Sequence, residues 1–148
     1  MKISAKGRYG LAAMAFLARI GQANSPTTIL TISENLGISK IYLEQVFSLL
    51  KHARLVTSSK GSQGGYHLAR AAQEITAWDV LAAIELPLTE KAGPATGDAQ
   101  EDLEQALANC VYDPLDAAIR KALQGVNLCA ILEEADRQKS KGNIMYFI

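Results

Sequence analysis

Lys40, Ile41, Glu44, Gln45, Ser48 and Lys51 recur at intervals that place them on one face of a helix. Their side chains suit the edges of nucleic-acid bases. A glutamine amide such as Gln45 pairs donor and acceptor with adenine. Glu44 can accept from a cytosine amino group, and exposed Ile41 can touch a thymine methyl. Ser39, Lys40 and Tyr42 suit the phosphate backbone better, although Tyr42 fits a half-buried core position equally well. A second group follows: Ser59, Lys60, Gly61, Gln63, Gly64 and Gly65. Its glycines allow a sharp turn and close approach to a phosphate, Lys60 supplies charge, and Gln63 supplies hydrogen bonds. Lys2, Lys6 and Arg8 add cations near the start of the chain. Alone, a polar helix face is usually just solvated and a glycine turn is usually just a turn. Their succession gives them meaning.

Other chemistry finds little support. His52 and His67 have no partners at metal-ligand spacing and read as ordinary surface or packing residues. Cys110 and Cys129 form neither a disulfide framework nor a close ligand pair. No Ser/His/Asp set, paired carboxylates or phosphate loop stands out, so no catalytic residue and no metal ligand is assigned, and an enzyme is not expected.

The elements that must hold these residues follow from periodicity and punctuation. A first helix is expected from about Lys6 to Ile20, with Tyr9, Ala13, Phe16, Leu17 and Ile20 on one side and Gly21 at its end. A second follows Thr27 or Thr28, buries Ile29, Ile32 and Leu36, and ends at Gly37. Ser39 is placed to cap a third, whose core stripe is Leu43, Val46, Phe47 and Leu50. Strands at 55–58 and 66–69 flank the glycine loop. Thr76 and Asp79 have capping-box spacing for a fourth helix, with Ile75 and Val80 as its staple. Residues 87–97 read as a linker and 98–108 as a short acidic helix. Asp113-Pro114 reads as a helix restart, with Asp as cap. Gly125 ends that helix, and Asn127 caps a last one. The expected fold is mainly α with a small β-hairpin (α+β): a winged helix-turn-helix with a long dimerisation helix, forming a homodimer. The divisions are 1–86 for DNA binding, 87–97 as linker, 98–141 for dimerisation or sensing, and a tail at 142–148.

Formal net charge is +0, yet the halves differ. Residues 1–80 carry nine Lys/Arg against four Asp/Glu, a net +5, and residues 81–148 carry six against eleven, a net −5. A basic module thus precedes an acidic one. The cations before the apolar run 9–18 mimic a signal peptide, but Arg19 interrupts the run and no small-x-small cleavage site follows. No stretch approaches a membrane span, and a reducing cytoplasm is expected.

The opening MKISAKGRYGL, the stretch GISKIYLEQVFSLL and the hairpin SKGSQGGYHL together resemble the Rrf-two family of bacterial transcription regulators, the group containing IscR, NsrR and CymR. The resemblance is dense over residues 1–86 and returns weakly at 123–132. It implies a cytoplasmic homodimeric repressor or activator bound to an imperfect palindrome of double-stranded DNA, with wings reaching flanking minor grooves. Lys60 stands where the family usually has arginine, so wing readout in a narrow groove is expected to be less sharp. Cluster-binding members carry three close cysteines before the dimer helix. Residues 87–97 contain none, so the expected cofactor is none, an iron–sulfur cluster included. The tail NIMYFI is similar to that of the CymR branch, repressors of cysteine metabolism that complex with cysteine synthase. There Ile148 would anchor in the synthase site and Tyr146 and Phe147 would pack at its mouth. Docking of the tail on its own dimer is the plainer reading. The alternatives are a redox- or iron–sulfur-responsive regulator of the same fold, or an adaptor that mainly binds an enzyme.

Overall fold

A computed structural model describes residues 3–21, 25–62, 64–91 and 93–146. The chain runs through α1 (Ala5–Ile20), α2 (Ile29–Leu36), α3 (Lys40–His52), β1 (Val56–Ser59), β2 (Gly65–Leu68), α4 (Ala77–Ile84), α5 (Glu101–Leu107), α6 (Asp113–Gln124) and α7 (Leu128–Tyr146). Short 3-10 turns lie at Ala72–Glu74, Leu86–Leu88 and Asp98–Gln100.

Ser4 starts α1 by accepting the Gly7 N–H at 3.1 Å. The buried face of α1 is Gly7, Gly10, Ala13, Met14 and Leu17, of which Ala13 and Leu17 belong to the expected stripe. Tyr9 and Phe16 are only half-buried, and Ile20 is exposed. Close packing explains the shift. A Cβ on Gly10 would collide with Ile84 Cδ1, and one on Gly7 with Glu85 Oε1 and Ile3 Cγ2. Two glycines therefore let α1 lie tightly against α4 and the turn after it.

Thr28 caps α2 by accepting the Thr31 N–H at 3.1 Å, and Gly37 closes it with φ 67°. Ser39 occupies the N-cap position of α3, but its hydroxyl makes no capping bond, contrary to expectation. The turn is braced instead by Ser33, whose hydroxyl donates to the Ile38 carbonyl at 2.6 Å. Leu43, Val46, Phe47 and Leu50 are all fully buried. Burying such side chains stabilises by ~1.5–3 kcal/mol each, so rolling α3 to bury its polar face would cost on the order of 10 kcal/mol. Hydrophobic burial thus decides which face points outward.

The hairpin pairs Val56 with Leu68, Thr57 with His67, Ser58 with Tyr66 and Ser59 with Gly65. Its strands sit one residue from the expected bounds. Thr27 and Tyr66 exchange both backbone hydrogen bonds, at 2.9 and 2.8 Å, which ties the hairpin to the start of α2. Gly65 permits that approach: a Cβ there would stand 2.6 Å from the Thr27 carbonyl. Phe47 and Tyr66 stack with centroids 4.6 Å apart, fastening the hairpin to α3.

At α4 the capping box forms as expected, with Thr76 and Asp79 bonding reciprocally at 2.9 and 3.1 Å. Ile75 and Val80 are both fully buried beside it. The segment before α5 is held by Glu104, which accepts the Ala95 and Thr96 N–H groups at 2.7 and 2.6 Å. Asp113-Pro114 does not restart a helix. Leu107, Ala108, Tyr112 and Asp113 all keep right-handed helical backbone, and Ala108–Tyr112 forms a π turn joining α5 to α6. In that turn the Asp113 N–H reaches back to the Ala108 carbonyl. A widened turn relieves the clash and the missing donor that Pro114 would impose on a regular helix. The joined helix is roughly 36 Å long at 1.5 Å per residue.

The α6–α7 junction returns to the first module. Ala77 donates to the Val126 carbonyl at 2.8 Å, Leu128 donates to that of Ile75 at 3.0 Å, and Asn127 Oδ1 caps Ala130 at 2.8 Å. Leu128 is fully buried in the same core as α1, α3 and α4. Arg120 on α6 lies 4.6 Å over the Trp78 ring of α4. Among the described residues no helix is long and apolar enough to cross a membrane.

Candidate nucleic-acid interface

With its apolar stripe buried, α3 presents Lys40, Ile41, Tyr42, Glu44, Gln45, Ser48 and Lys51 to solvent. Ile41 is 68% exposed. Ile41, Glu44, Gln45 and Ser48 line one open hollow, and Lys6 of α1 joins them there. The fold therefore brings together two groups that lie more than thirty positions apart in the chain. Leu49 lines the same hollow and was not anticipated, because it fits the core stripe by spacing. Arg8 is exposed on α1. Tyr42 packs against Tyr9, with centroids 5.8 Å apart and rings tilted by 50°, yet stays 48% exposed. It is both a packing residue and a surface one.

The uncapped start of α3 matters electrostatically. Its first-turn amides carry no side-chain acceptor, and a helix N-terminus holds partial positive charge that favours phosphate. Among the described residues Lys6, Arg8, Lys40, Glu44 and Lys60 make no ion pair, so their charges face outward. On the hairpin, Ser59, Lys60 and Gly61 are exposed at the tip, which the Gly64 N–H closes by donating to the Gly61 carbonyl at 3.0 Å. Lys2, Gln63, Phe147, Ile148 and the Tyr146 side chain lie outside the described residues.

Sequence reasoning missed Arg54. It is exposed and holds a left-handed backbone, φ 61°, where α3 stops. There the Leu55 N–H donates to the Leu50 carbonyl at 3.0 Å, the bond of a Schellman motif. Glycine is the usual residue at such a site, so no compositional signal marked it.

The thiols do not assemble a cluster site. Cys110 is exposed on the π turn, and Cys129 is half-buried on α7. Among the described residues no group of three or more His, Cys, Asp or Glu is placed to hold a metal ion. An iron–sulfur cluster is held by cysteine thiolates, in some types with histidine, and this donor set does not fit one.

A profile of the Rrf2 (Rrf-two) family, described as an iron-dependent transcriptional regulator, matches residues 3–134. The chain is 36% identical over 144 residues to the HTH-type transcriptional regulator IscR of Vibrio campbellii, covering 93% of this chain and 84% of that protein. It is 43% identical over 89 residues to the HTH-type transcriptional regulator CymR of Bacillus subtilis, covering 60% of this chain and 64% of that one. Two solved structures are similar throughout. IscR of T. potens superposes with a TM-score of 0.70 at 31% identity, over 91% of this chain and 88% of that one. CymR of B. subtilis, described as the global cysteine regulator, gives 0.72 at 31% identity, over 90% and 98%. With a match that runs from ahead of α1 into α7, the chain belongs to the Rrf2 family of transcriptional regulators.

Proposed function

We propose that the protein is a cytoplasmic homodimeric repressor that binds an imperfect DNA palindrome and works without an iron–sulfur cluster. The observation that carries this reading is the outward face of α3, with Lys6 beside it. In this arrangement α3 enters the major groove. Gln45, Glu44 and Ile41 meet base edges, while Ser39, Lys40, Tyr42 and Ser48 meet the backbone. The wing, with Ser59, Lys60, Gly61, Gln63, Gly64 and Gly65, follows the neighbouring groove, and Lys2, Lys6 and Arg8 add phosphate contacts. Leu103, Val111 and Leu115 are exposed apolar residues on the long helix. Their mating with a second copy supplies the two-fold symmetry, and half-sites one turn apart, ~34 Å, then match two recognition helices. Fluorescence anisotropy against specific and random duplexes at several salt concentrations tests the reading. The expected result is sequence preference with a steep salt slope. Weak, salt-insensitive and indiscriminate binding would instead favour an adaptor.

For the signal, we infer a role in cysteine supply, supported by the similarity to CymR and by the lack of a three-cysteine set. In this proposal Tyr146, Phe147 and Ile148 dock on cysteine synthase. Deleting Ile148 should abolish that association and leave the dimer intact; unchanged association after deletion rejects it. The description of the family as iron-dependent favours a second reading, an iron-responsive regulator, which the reconstitution experiment below decides.

A further inference from the structure

Where the start of α1, the end of α4 and α6 meet, the fold forms a partly open cavity of about 210 Å³. Ile3, Leu88, Ile119 and Leu123 form apolar walls, and two carboxylates, Glu85 and Asp116, line the same space. We propose that this cavity binds a small primary amine with a short aliphatic body, and that its occupancy sets DNA affinity. The effect on DNA rests on the regulator reading above; the binding does not.

Three observations support the assignment. Size comes first: drug-sized sites run to ~300–1,000 Å³, so this one takes a small molecule. Charge comes second. Two carboxylates line one largely apolar pocket, and an ammonium group bound there gains charge-assisted hydrogen bonds to them. Among the described residues Asp116 has no hydrogen-bond or ion-pair partner of its own. Position comes third. Asp116, Ile119 and Leu123 share one face of α6, on which Ile119 and Leu123 are half-buried and Asp116 is exposed; Leu115, Ala118 and Ala122 lie on the adjoining face. A second copy mating on the latter leaves the cavity accessible.

The cavity also has a path to the DNA-binding face. Glu85 Oε1 accepts the Ser4 amide N–H at 2.8 Å and the Ser4 hydroxyl as well. Ser4 caps α1, and Lys6 two residues on lines the hollow on α3. An ammonium that draws on Glu85 competes with Ser4 and loosens the start of α1, so the liganded protein binds DNA more weakly.

The test is calorimetric titration of the full chain, without DNA, with n-butylammonium, and with 1-butanol and butyrate as neutral and anionic counterparts. Saturable amine binding at least about tenfold tighter than either counterpart is expected. Asp116→Asn should weaken the amine by about tenfold, while Asp113→Asn, on the same helix but outside the cavity, should not. Equal binding of all three molecules, or equal effects of the two substitutions, overturns the site. Adding the amine to an anisotropy titration should weaken DNA binding by the wild type and not by Asp116→Asn. Amine binding that leaves DNA affinity unchanged overturns the regulatory link alone, and intact amine binding in a chain that ignores DNA counts against the regulator reading rather than the cavity.

Discussion

Replacing Gly10 with alanine sets helix propensity against a single close contact, and the coupling to Ile84 measures that contact. In a helix interior alanine is favoured over glycine by about 1 kcal/mol. The new methyl, however, would sit closer to Ile84 Cδ1 than real Cβ atoms approach any neighbour. That atom is the far end of a flexible, half-buried side chain, so turning it aside falls at the low end of the ~1–3 kcal/mol that overpacking costs, and the net change should be about zero. The other neighbours, Val46 Cγ1 at 3.5 Å and Val80 Cγ1 at 3.6 Å, are in ordinary contact and need not move. Ile84→Val removes the offending methyl, at a cost of ~0.5–1.5 kcal/mol by itself. In that background only the helix-propensity term remains, and Gly10→Ala should stabilise by about 1 kcal/mol. The coupling is therefore about 1 kcal/mol, against an additivity error of ~0.3–0.5 kcal/mol. Urea unfolding of the four proteins at one shared concentration measures it. With a denaturant slope near ~2 kcal/mol/M, a coupling of that size moves the midpoint by about 0.5 M. An equal change in both backgrounds would show that the new methyl and Ile84 Cδ1 do not compete for the same space.

Further expectations follow from the interface and the thiols. Gln45→Ala should lose ~1–3 kcal/mol of discrimination at one base pair, whereas Lys60→Ala should weaken all duplexes alike and lower the salt slope by about 1; equal losses on specific and random DNA for Gln45→Ala contradict its assignment. Arg54→Gly removes left-handed strain of ~1–2 kcal/mol but adds backbone entropy to the unfolded chain, so a gain of about 0.5–1 kcal/mol is expected in the same urea assay. A drop in stability would mean that the Arg54 side chain holds something the backbone argument ignores. Anaerobic incubation with ferrous iron and sulfide should leave the purified chain without a visible chromophore; a stoichiometric one that changes DNA affinity would establish the iron-responsive reading.

Much of the first module is legible because its signals are local. Thr28, Gly37, Thr76 and Asp79 act within one helical turn, and the α3 stripe repeats its apolar residues at helical spacing. What stayed hidden depends on residues far apart or on side chains that are missing. Gly7 and Gly10 form part of the buried face of α1, yet apolar periodicity passes over them; it finds Ala13 and Leu17, which are buried, and extends to Ile20, which is exposed. Asp113-Pro114 has the local grammar of a helix start, and only the π turn lets one helix continue through it. Leu128 joins the core through backbone bonds from residues some fifty positions earlier. The exposed positions of Gln45 on α3 and Lys60 at the hairpin tip follow from type and order alone. The place of Lys6 beside the recognition face depends on how α1 packs, which no local rule supplies.

A chain with no net charge can still bind a polyanion when its charges are separated by more than the screening distance. The acidic cluster Glu101, Asp102 and Glu104 lies sixteen to nineteen residues before Arg120, the contact of α6 with α4. Along a helix that is roughly 24–28 Å. The Debye length is about 8 Å at physiological ionic strength, so over that distance the cluster is screened. At 0.01 M salt the length grows to about 30 Å and the cluster comes into range. Neutralising Glu101, Asp102 and Glu104 together should therefore raise DNA affinity at low salt and leave it unchanged near 0.15 M. Equal gains at both salt concentrations would place that cluster close to the DNA, in conflict with a long helix that carries it away.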